Sequence, residues 1–321
     1  MPRRSSLNVY DLTTCVREAR ADSQIYYMVR RDIVMKSDFL KGKRGLIMGV
    51  VNEHSIAWGM AKVLAENGAE LAFTYQWDRS LKTVEPLAKE LGVDVLIPCD
   101  VRDEEAIPTA FKTLEEKWGK LDFVIHSMAF SKKAELDGRY CDTSRKNYLM
   151  SMTISAYSFT EVARHARPLM SDGGSLVTLS YLGSEAVVPN YNVMGVCKAA
   201  LEASVRYLAA DLGPENIRVN SISAGPIMTS AASGINDFDF LLDWNATNSP
   251  MRRTVTQEEV GRTGLYLLSE LGAGVTGENV HVDGGFHAMG MPVADIEAVR
   301  KNKAMLEKVE QTLIEREKEA K

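Results

Sequence analysis

Tyr191 and Lys198 lie in the stretch SYLGSEAVVPNYNVMGVCK, which begins at Ser180 and carries a second tyrosine, Tyr181, at its start. Six residues separate the phenol from the ammonium. On a helix that spacing is nearly two turns, so the two groups can share one face. A tyrosine ordinarily titrates near about 10, and a neighbouring cation favours its ionised form. A pair of this kind can protonate or stabilise a developing oxyanion. Tyr and Lys at helical spacing also occur as an ordinary surface pair, so the elements that hold them have to decide.

Those elements alternate. The apolar run at 175–180 reads as a buried strand, and the pattern from 192 to 212 as a helix. Upstream, strands are expected at 45–48, 70–75, 93–98 and 121–126, and downstream at 217–222 and 278–283. Helices are expected at 55–65, from the second strand through Leu91, at 104–118, over a long region ending near Met170, and at 257–269. The rhythm predicts an α/β fold, a doubly wound parallel sheet of the Rossmann type in a single domain over 35–290.

The flanks differ from this body. Residues 1–34 carry scattered arginines and little strand patterning, and read as a mis-assigned start or a poorly ordered extension. A targeting peptide is the weakest reading, because Asp11, Glu18, Asp22 and Asp32 spoil an acid-poor transit signature. The charged tail 291–321 repeats Val299, Leu306, Val309 and Leu313 at roughly helical intervals, which predicts an amphipathic helix.

Composition sets outer limits. The 321 residues are 45% hydrophobic, enough for a substantial core. A net charge of −5 gives no general pull toward nucleic acid or an anionic membrane. Apolar runs are short and broken, so a transmembrane helix is not expected. Cys15, Cys99, Cys141 and Cys197 show no metal-ligand or CxxC spacing and read as reduced thiols of a cytoplasmic protein. The five histidines show no metal-ligand spacing either, so no metal is expected, and His126 in its apolar strand reads as a satisfied buried histidine.

Polar residues collect where strands end, the edge at which α/β folds bind ligands. The first strand ends at Gly49, and Ser55 follows in a position to cap the next helix, whose free N–H groups suit a pyrophosphate. The glycines are spread more widely than in G-x-G-x-x-G, so this turn alone is even-handed evidence. The second strand ends at Tyr75-Gln76. Arg79 and Lys82 beyond it fit either a 2′-phosphate or a solvated helix start. Cys99-Asp100-Val101 ends the third strand, where Asp100 can accept from an adenine amino group, and Ser127-Met128-Ala129 ends the fourth. After the sixth strand, Gly225 and Pro226 force a turn, and Thr229 with its neighbouring N–H groups can grip a phosphate. The small and apolar residues that follow read as a flexible cover over an apolar substrate rather than a core helix. Met194, Ile235, Phe238 and Phe240 fit a pocket wall or simple core; on position alone core is the safer reading.

Taken together, Gly49-x5-Ser55-x3-Gly59, Tyr75-Gln76, Cys99-Asp100-Val101, Tyr181-x9-Tyr191-x6-Lys198, Gly225-Pro226-Ile227 and Val282-Asp283-Gly284-Gly285-Phe286 resemble the bacterial enoyl-(acyl-carrier-protein) reductases of the FabI type, over about residues 36–290. The x6 spacing is specific, because the wider short-chain dehydrogenase superfamily uses Tyr-x3-Lys and Gly195 stands at that x3 position here. The resemblance implies reduction of the trans-2 double bond of an enoyl thioester by NADH through an enolate, in type II fatty acid synthesis. It implies that Tyr191 stabilises the enolate, that Lys198 holds the nicotinamide ribose, and that Tyr181 is a second active-site tyrosine. Cofactor contacts would come from Gly49, Ser55, Ile56, Gln76, Asp100, Val101, Met128, Ile227, Met228, Thr229, Ser230 and Ala231, and substrate contacts from Ser131, Met194, Ile235 and Phe238. The neutral Gln76 accompanies NADH use in the family. Acyl carrier protein as the substrate's carrier and a homotetramer are further implications, with no nucleic-acid or membrane partner. Met228, Ser131 and Ala129 depart from residues common in the family; Met228 is expected to weaken no essential step, because that segment contacts phosphate partly through its backbone.

Two other readings compete. A 3-oxoacyl or alcohol dehydrogenase of the same superfamily would need the missing Tyr-x3-Lys. A catalytically dead NAD-binding or scaffolding protein would have no chemical need for both Tyr191 and Lys198.

Overall fold

The computed structural model describes residues 38–230, 232 and 238–292. Four expectations therefore fall outside the described residues: the nature of 1–34, the helical tail beyond Pro292, and the contacts assigned to Ala231 and Ile235. The chain divides into two units at Asp38/Phe39, and the second carries the whole sheet.

Seven strands form that sheet: β1 (Arg44–Met48), β2 (Glu70–Tyr75), β3 (Val95–Pro98), β4 (Phe123–His126), β5 (Gly174–Ser180), β6 (Ile217–Ala224) and β7 (Asn279–Val282). All pairings are parallel, in the order β3-β2-β1-β4-β5-β6-β7. The central strands are apolar nearly throughout because helices cover both faces of a parallel sheet. Side chains alternate between the faces. Leu46 and Met48 enter one core layer with Val124, Leu176 and Val219, whereas Ile47 enters the other with Phe73, Ile125, Val177 and Ile222. Phe73, Phe123 and Phe159 are fully buried, each worth about 1.5–3 kcal/mol relative to exposure.

Eight α-helices surround the sheet: α1 (Ile56–Glu66), α2 (Asp78–Glu90), α3 (Ala106–Trp118), α4 (Arg145–Met152), α5 (Ser158–Ala166), α6 (Asn192–Leu212), α7 (Phe238–Asn248) and α8 (Gln257–Leu268) among the described residues. The start of α8 is fixed by a reciprocal capping box. The Glu259 amide donates to the Thr256 hydroxyl at 3.2 Å, and the Thr256 amide to the Glu259 carboxylate at 3.0 Å.

The structure refines three expectations. The long helix ending near Met170 is α4 and α5 joined by a π-turn at Thr153–Tyr157, a wide turn that lets Ser155 face Phe130 and Met194. The segment read as flexible cover, 230–240, meets α7 at its last three residues, and the Phe240 and Trp244 rings lie 5.8 Å apart, four residues being a helical contact spacing. Ser55 occupies the cap position of α1, yet its hydroxyl does not cap the helix. It accepts instead from the Val51 and Asn52 amides, at 3.0 and 3.1 Å, and shapes the loop.

Strand order reverses at β1, which lies between β2 and β4. That switch opens a crevice at the carboxyl ends of the strands. No helix among the described residues is long and apolar enough to cross a membrane.

Candidate functional site

The loop after β1 begins at Gly49, whose φ of 102° lies in the region that favours glycine. A Cβ there would meet the Ser127 carbonyl oxygen at 2.0 Å, so the loop passes hard against the end of β4. At the start of α1 the Ile56 and Ala57 amides have no acceptor among the described residues, and they coincide with the positive end of the helix dipole. The Asn52 amide side chain donates to the Ser230 hydroxyl at 2.7 Å, drawing the segment after β6 onto this loop across 178 residues of sequence. Beside it the Thr229 hydroxyl accepts from the Ala232 amide at 3.0 Å. Ile56 and Ile227 are partly buried against the core, and Met228 is exposed. These residues form a cradle of backbone donors that fits a pyrophosphate.

The next subsite lies where β2 and β3 end side by side, joined by the Cys99 amide to the Tyr75 carbonyl at 2.8 Å. Gln76 is exposed there and hydrogen-bonds the Asp100 carboxylate. Arg102 grips both oxygens of the same carboxylate, with its Nε at 2.9 and 3.1 Å. Hydrogen bonding to Arg102 holds the Asp100 carboxyl below its usual range. The guanidinium also lies 5.7 Å from the exposed Trp77 ring. Arg102 was not among the expected site residues, although an Asp-x-Arg at a strand end is the available signal. Arg79 and Lys82 are exposed on the first turns of α2, in keeping with a solvated helix start. Val101 is buried and Met128 partly buried, both in the first core layer.

The tyrosines and lysine come together at the end of β5. Tyr181 and Tyr191 meet edge to face with ring centroids 5.0 Å apart. Tyr191 sits in the cap position of α6, between Asn190 and Asn192, whose φ angles are 61° and 33°. Asparagine tolerates that conformation better than most residues, and Asn192 is pinned by the Leu136 carbonyl at 2.6 Å. The Asn-Tyr-Asn run therefore aims the phenol, a role not read from the sequence although its signal was present. Lys198 is buried and donates to the Leu179 carbonyl at 2.6 Å.

Burial governs the electrostatics. It raises the Tyr181 hydroxyl to about 12 and pushes Tyr191 upward as well, with the Tyr181 charge and Cys197 adding to it. Desolvation of the phenolate thus keeps the proton on Tyr191, as a proton donor requires. A phenol that keeps its proton is a hydrogen-bond donor. Burial likewise lowers the Lys198 ammonium to about 8, opposed by Cys197 and Glu202. His126, fully buried between Thr178 and Ser158 at 3.0 and 2.8 Å, is lowered to about 3 by desolvation and by Lys198. It is the satisfied core histidine expected.

The residues assigned to substrate are divided. Ser131 accepts from the Asn147 amide group at 3.0 Å. Met194 is buried in a small cluster with Tyr191, Val193, Cys197 and Leu136, and the Ser155 hydroxyl points to its sulfur at 3.8 Å. Phe238 is buried at the head of α7, and Phe240 is exposed. Met194 and Phe238 thus pack as core, whereas Phe240 is open.

Comparison with known proteins agrees with this arrangement. A family model described as enoyl-(acyl carrier protein) reductase matches residues 49–287. The chain is 61% identical over 259 residues to enoyl-(acyl-carrier-protein) reductase (NADH) 1 of Rhizobium meliloti, covering 81% of this chain and 95% of that one. It is 52% identical over 256 residues to the enoyl-(acyl-carrier-protein) reductase (NADH) FabI of Rickettsia typhi, covering 80% and 98%. The crystal structure of the reductase from Anaplasma phagocytophilum in complex with NAD superposes with a TM-score of 0.78 at 58% identity, over 80% of this chain and 98% of that one. With the x6-spaced tyrosine and lysine at the crevice of a seven-stranded parallel sheet, the chain belongs to the enoyl-(acyl carrier protein) reductase family.

Proposed function

We infer that the protein is an NADH-dependent enoyl-(acyl-carrier-protein) reductase of fatty acid synthesis, reducing the trans-2 double bond of enoyl thioesters through an enolate. The observation that carries this reading is the buried Tyr191 and Lys198, with the partly buried Tyr181 against them, beside a backbone cradle that fits a dinucleotide. NADH, when bound, supplies the hydride that goes to C3. Electrons of the double bond then move to the thioester oxygen, and C2 takes a proton.

The chain's own residues handle charge and position. The Tyr191 phenol, kept protonated by burial, donates a hydrogen bond to the thioester oxygen as negative charge collects there. Lys198 presents a buried ammonium to the nicotinamide ribose hydroxyls and adds positive charge near the enolate. Tyr181 packs edge-on against Tyr191 and restricts its ring. Gly49, Ser55 and Ile56 shape the pyrophosphate turn, with Ile227, Met228, Thr229 and Ser230 across from it. Gln76, Asp100 and Val101 receive the adenosine half, Met128 stands by the nicotinamide half, and Ser131 borders the acyl path. The uncharged Gln76 suits a ribose without a 2′-phosphate.

Acyl carrier protein is the carrier of the substrate in this reading, and a homotetramer in the cytoplasm is its setting. The free Cys99, Cys141 and Cys197 suit a reducing compartment.

The test is loss of NADH absorbance with a short trans-2-enoyl thioester. No turnover by pure protein would sink the activity, and faster turnover with NADPH would overturn the cofactor assignment. Tyr191→Phe should lower kcat at least ~100-fold while NADH still binds in a fluorescence titration; full activity would remove Tyr191 from its role.

A further inference from the structure

Glu202 lies one turn beyond Lys198 on α6, and its carboxylate is buried. A carboxylate is almost never buried without partners, because desolvation penalises the charge. Its partners here are two hydroxyls that bracket Tyr181. Ser180, the last residue of β5, donates to Glu202 Oε1. Ser184, which closes the tight turn Leu182–Ser184, donates to the same oxygen at 2.5 Å. The Ser184 amide in turn reaches the Tyr181 carbonyl at 2.9 Å. Lys198 holds the preceding residue of the strand through the Leu179 carbonyl. Two successive turns of α6 thus grip the strand end on both sides of Tyr181.

The turn itself is pressed against Tyr191. A Cβ placed on Gly183 would come within 2.5 Å of the Tyr191 ring, so the bracket that fixes the Tyr181 backbone also backs the second phenol. Glu202 has a second effect, on charge. Around Lys198, Cys197 and Glu202 on α6 favour its ammonium against the cost of burial, and His126 on β4 feels that ammonium.

We propose that Glu202 is a positioning residue for the reduction, holding the Tyr181 turn through Ser180 and Ser184 from one helical turn beyond Lys198. Glu202 does not touch the reacting atoms; it acts through the three groups that do. The inference rests on the reductase reading above, and its test separates the two.

The experiment measures kcat and kcat/KM for NADH with a short trans-2-enoyl thioester from pH 6 to 10, for the wild-type protein, Glu202→Gln, Ser184→Ala and Ser180→Ala, each checked for folding by circular dichroism. Glu202→Gln retains the volume and an acceptor oxygen but removes the charge. It is expected to move the alkaline limb of kcat/KM to lower pH by at least half a unit, because Lys198 gives up its proton sooner. Ser184→Ala leaves the charge in place, so the limb should stay while kcat falls three- to tenfold with KM for NADH within twofold. An unmoved limb in Glu202→Gln, or full kcat in both serine variants, overturns the proposal. If Glu202→Gln does not fold, the serine variants decide alone: lowered kcat at constant KM supports it and unchanged kcat overturns it. Absence of wild-type turnover would instead defeat the reductase reading.

Discussion

At the scale of single residues, burial decides what each titratable group does. Tyr191 holds its proton, Lys198 is poised near pH 8, and His126 stays neutral far below its ordinary range. His126 has a consequence for stability. The unfolded chain takes a proton at His126 as the pH falls through about 6.5, whereas the folded chain excludes it until about pH 3. The unfolded state therefore binds more protons in that window, and stability present above pH 6.5 is lost as the pH drops. The slope from this group approaches ~1.4 kcal/mol per pH unit. Urea unfolding at pH 7 and at pH 4.5 checks it: the midpoint should fall with acid, and a folded His126→Asn variant should show a shallower fall. The Tyr191–Lys198 pair was legible in the sequence because its x6 spacing falls within one local segment. The direction of the tyrosine's titration was not, because it depends on how much protein closes over the ring. Glu202 was illegible for the same reason: in the sequence a glutamate on a helix reads as a solvated face, and its partners are 18 and 22 residues away.

At the scale of elements, the strands declared themselves as apolar runs, and their observed ends lie within two residues of the expected ones. Helix α7 did not, because Asp239 and Asp243 interrupt its apolar face and Phe240 and Trp244 remain open. Its helical character is settled by context that the local pattern does not contain. The joint between β1 and α1 makes a sharp prediction. Gly49→Ala forces a side chain into the Ser127 carbonyl and asks alanine to adopt a φ of 102°. The backbone must shift, which should cost about 2–3 kcal/mol and displace the amides of the pyrophosphate turn. A denaturation midpoint and an NADH titration would show both losses; unaltered NADH affinity would remove this loop from the cofactor site. The ion pair just after β3 gives another. Arg102→Ala releases the Asp100 carboxylate, and KM for NADH should rise severalfold with kcat nearly unchanged; steady-state kinetics at fixed thioester would reveal it.

At the scale of the whole molecule, the parallel order brings loops from six strands to one edge, which is why scattered motifs read in sequence could be assembled into one site. What the sequence could not supply was the tie between the first loop and the segment after β6. The Asn52–Ser230 hydrogen bond crosses 178 residues. A contact of that range forms late in folding, since loop closure is opposed by chain entropy until most of the body is in place. If this cradle holds the cofactor as proposed, its completion is expected late in folding, and a partly folded chain would hold NADH poorly. In refolding from denaturant, recovery of NADH fluorescence enhancement should lag the return of helical circular dichroism, and NADH at 100 times its Kd should stabilise the finished fold by about 2.7 kcal/mol. Nicotinamide supply would then act on the lifetime of the enzyme as well as on its turnover.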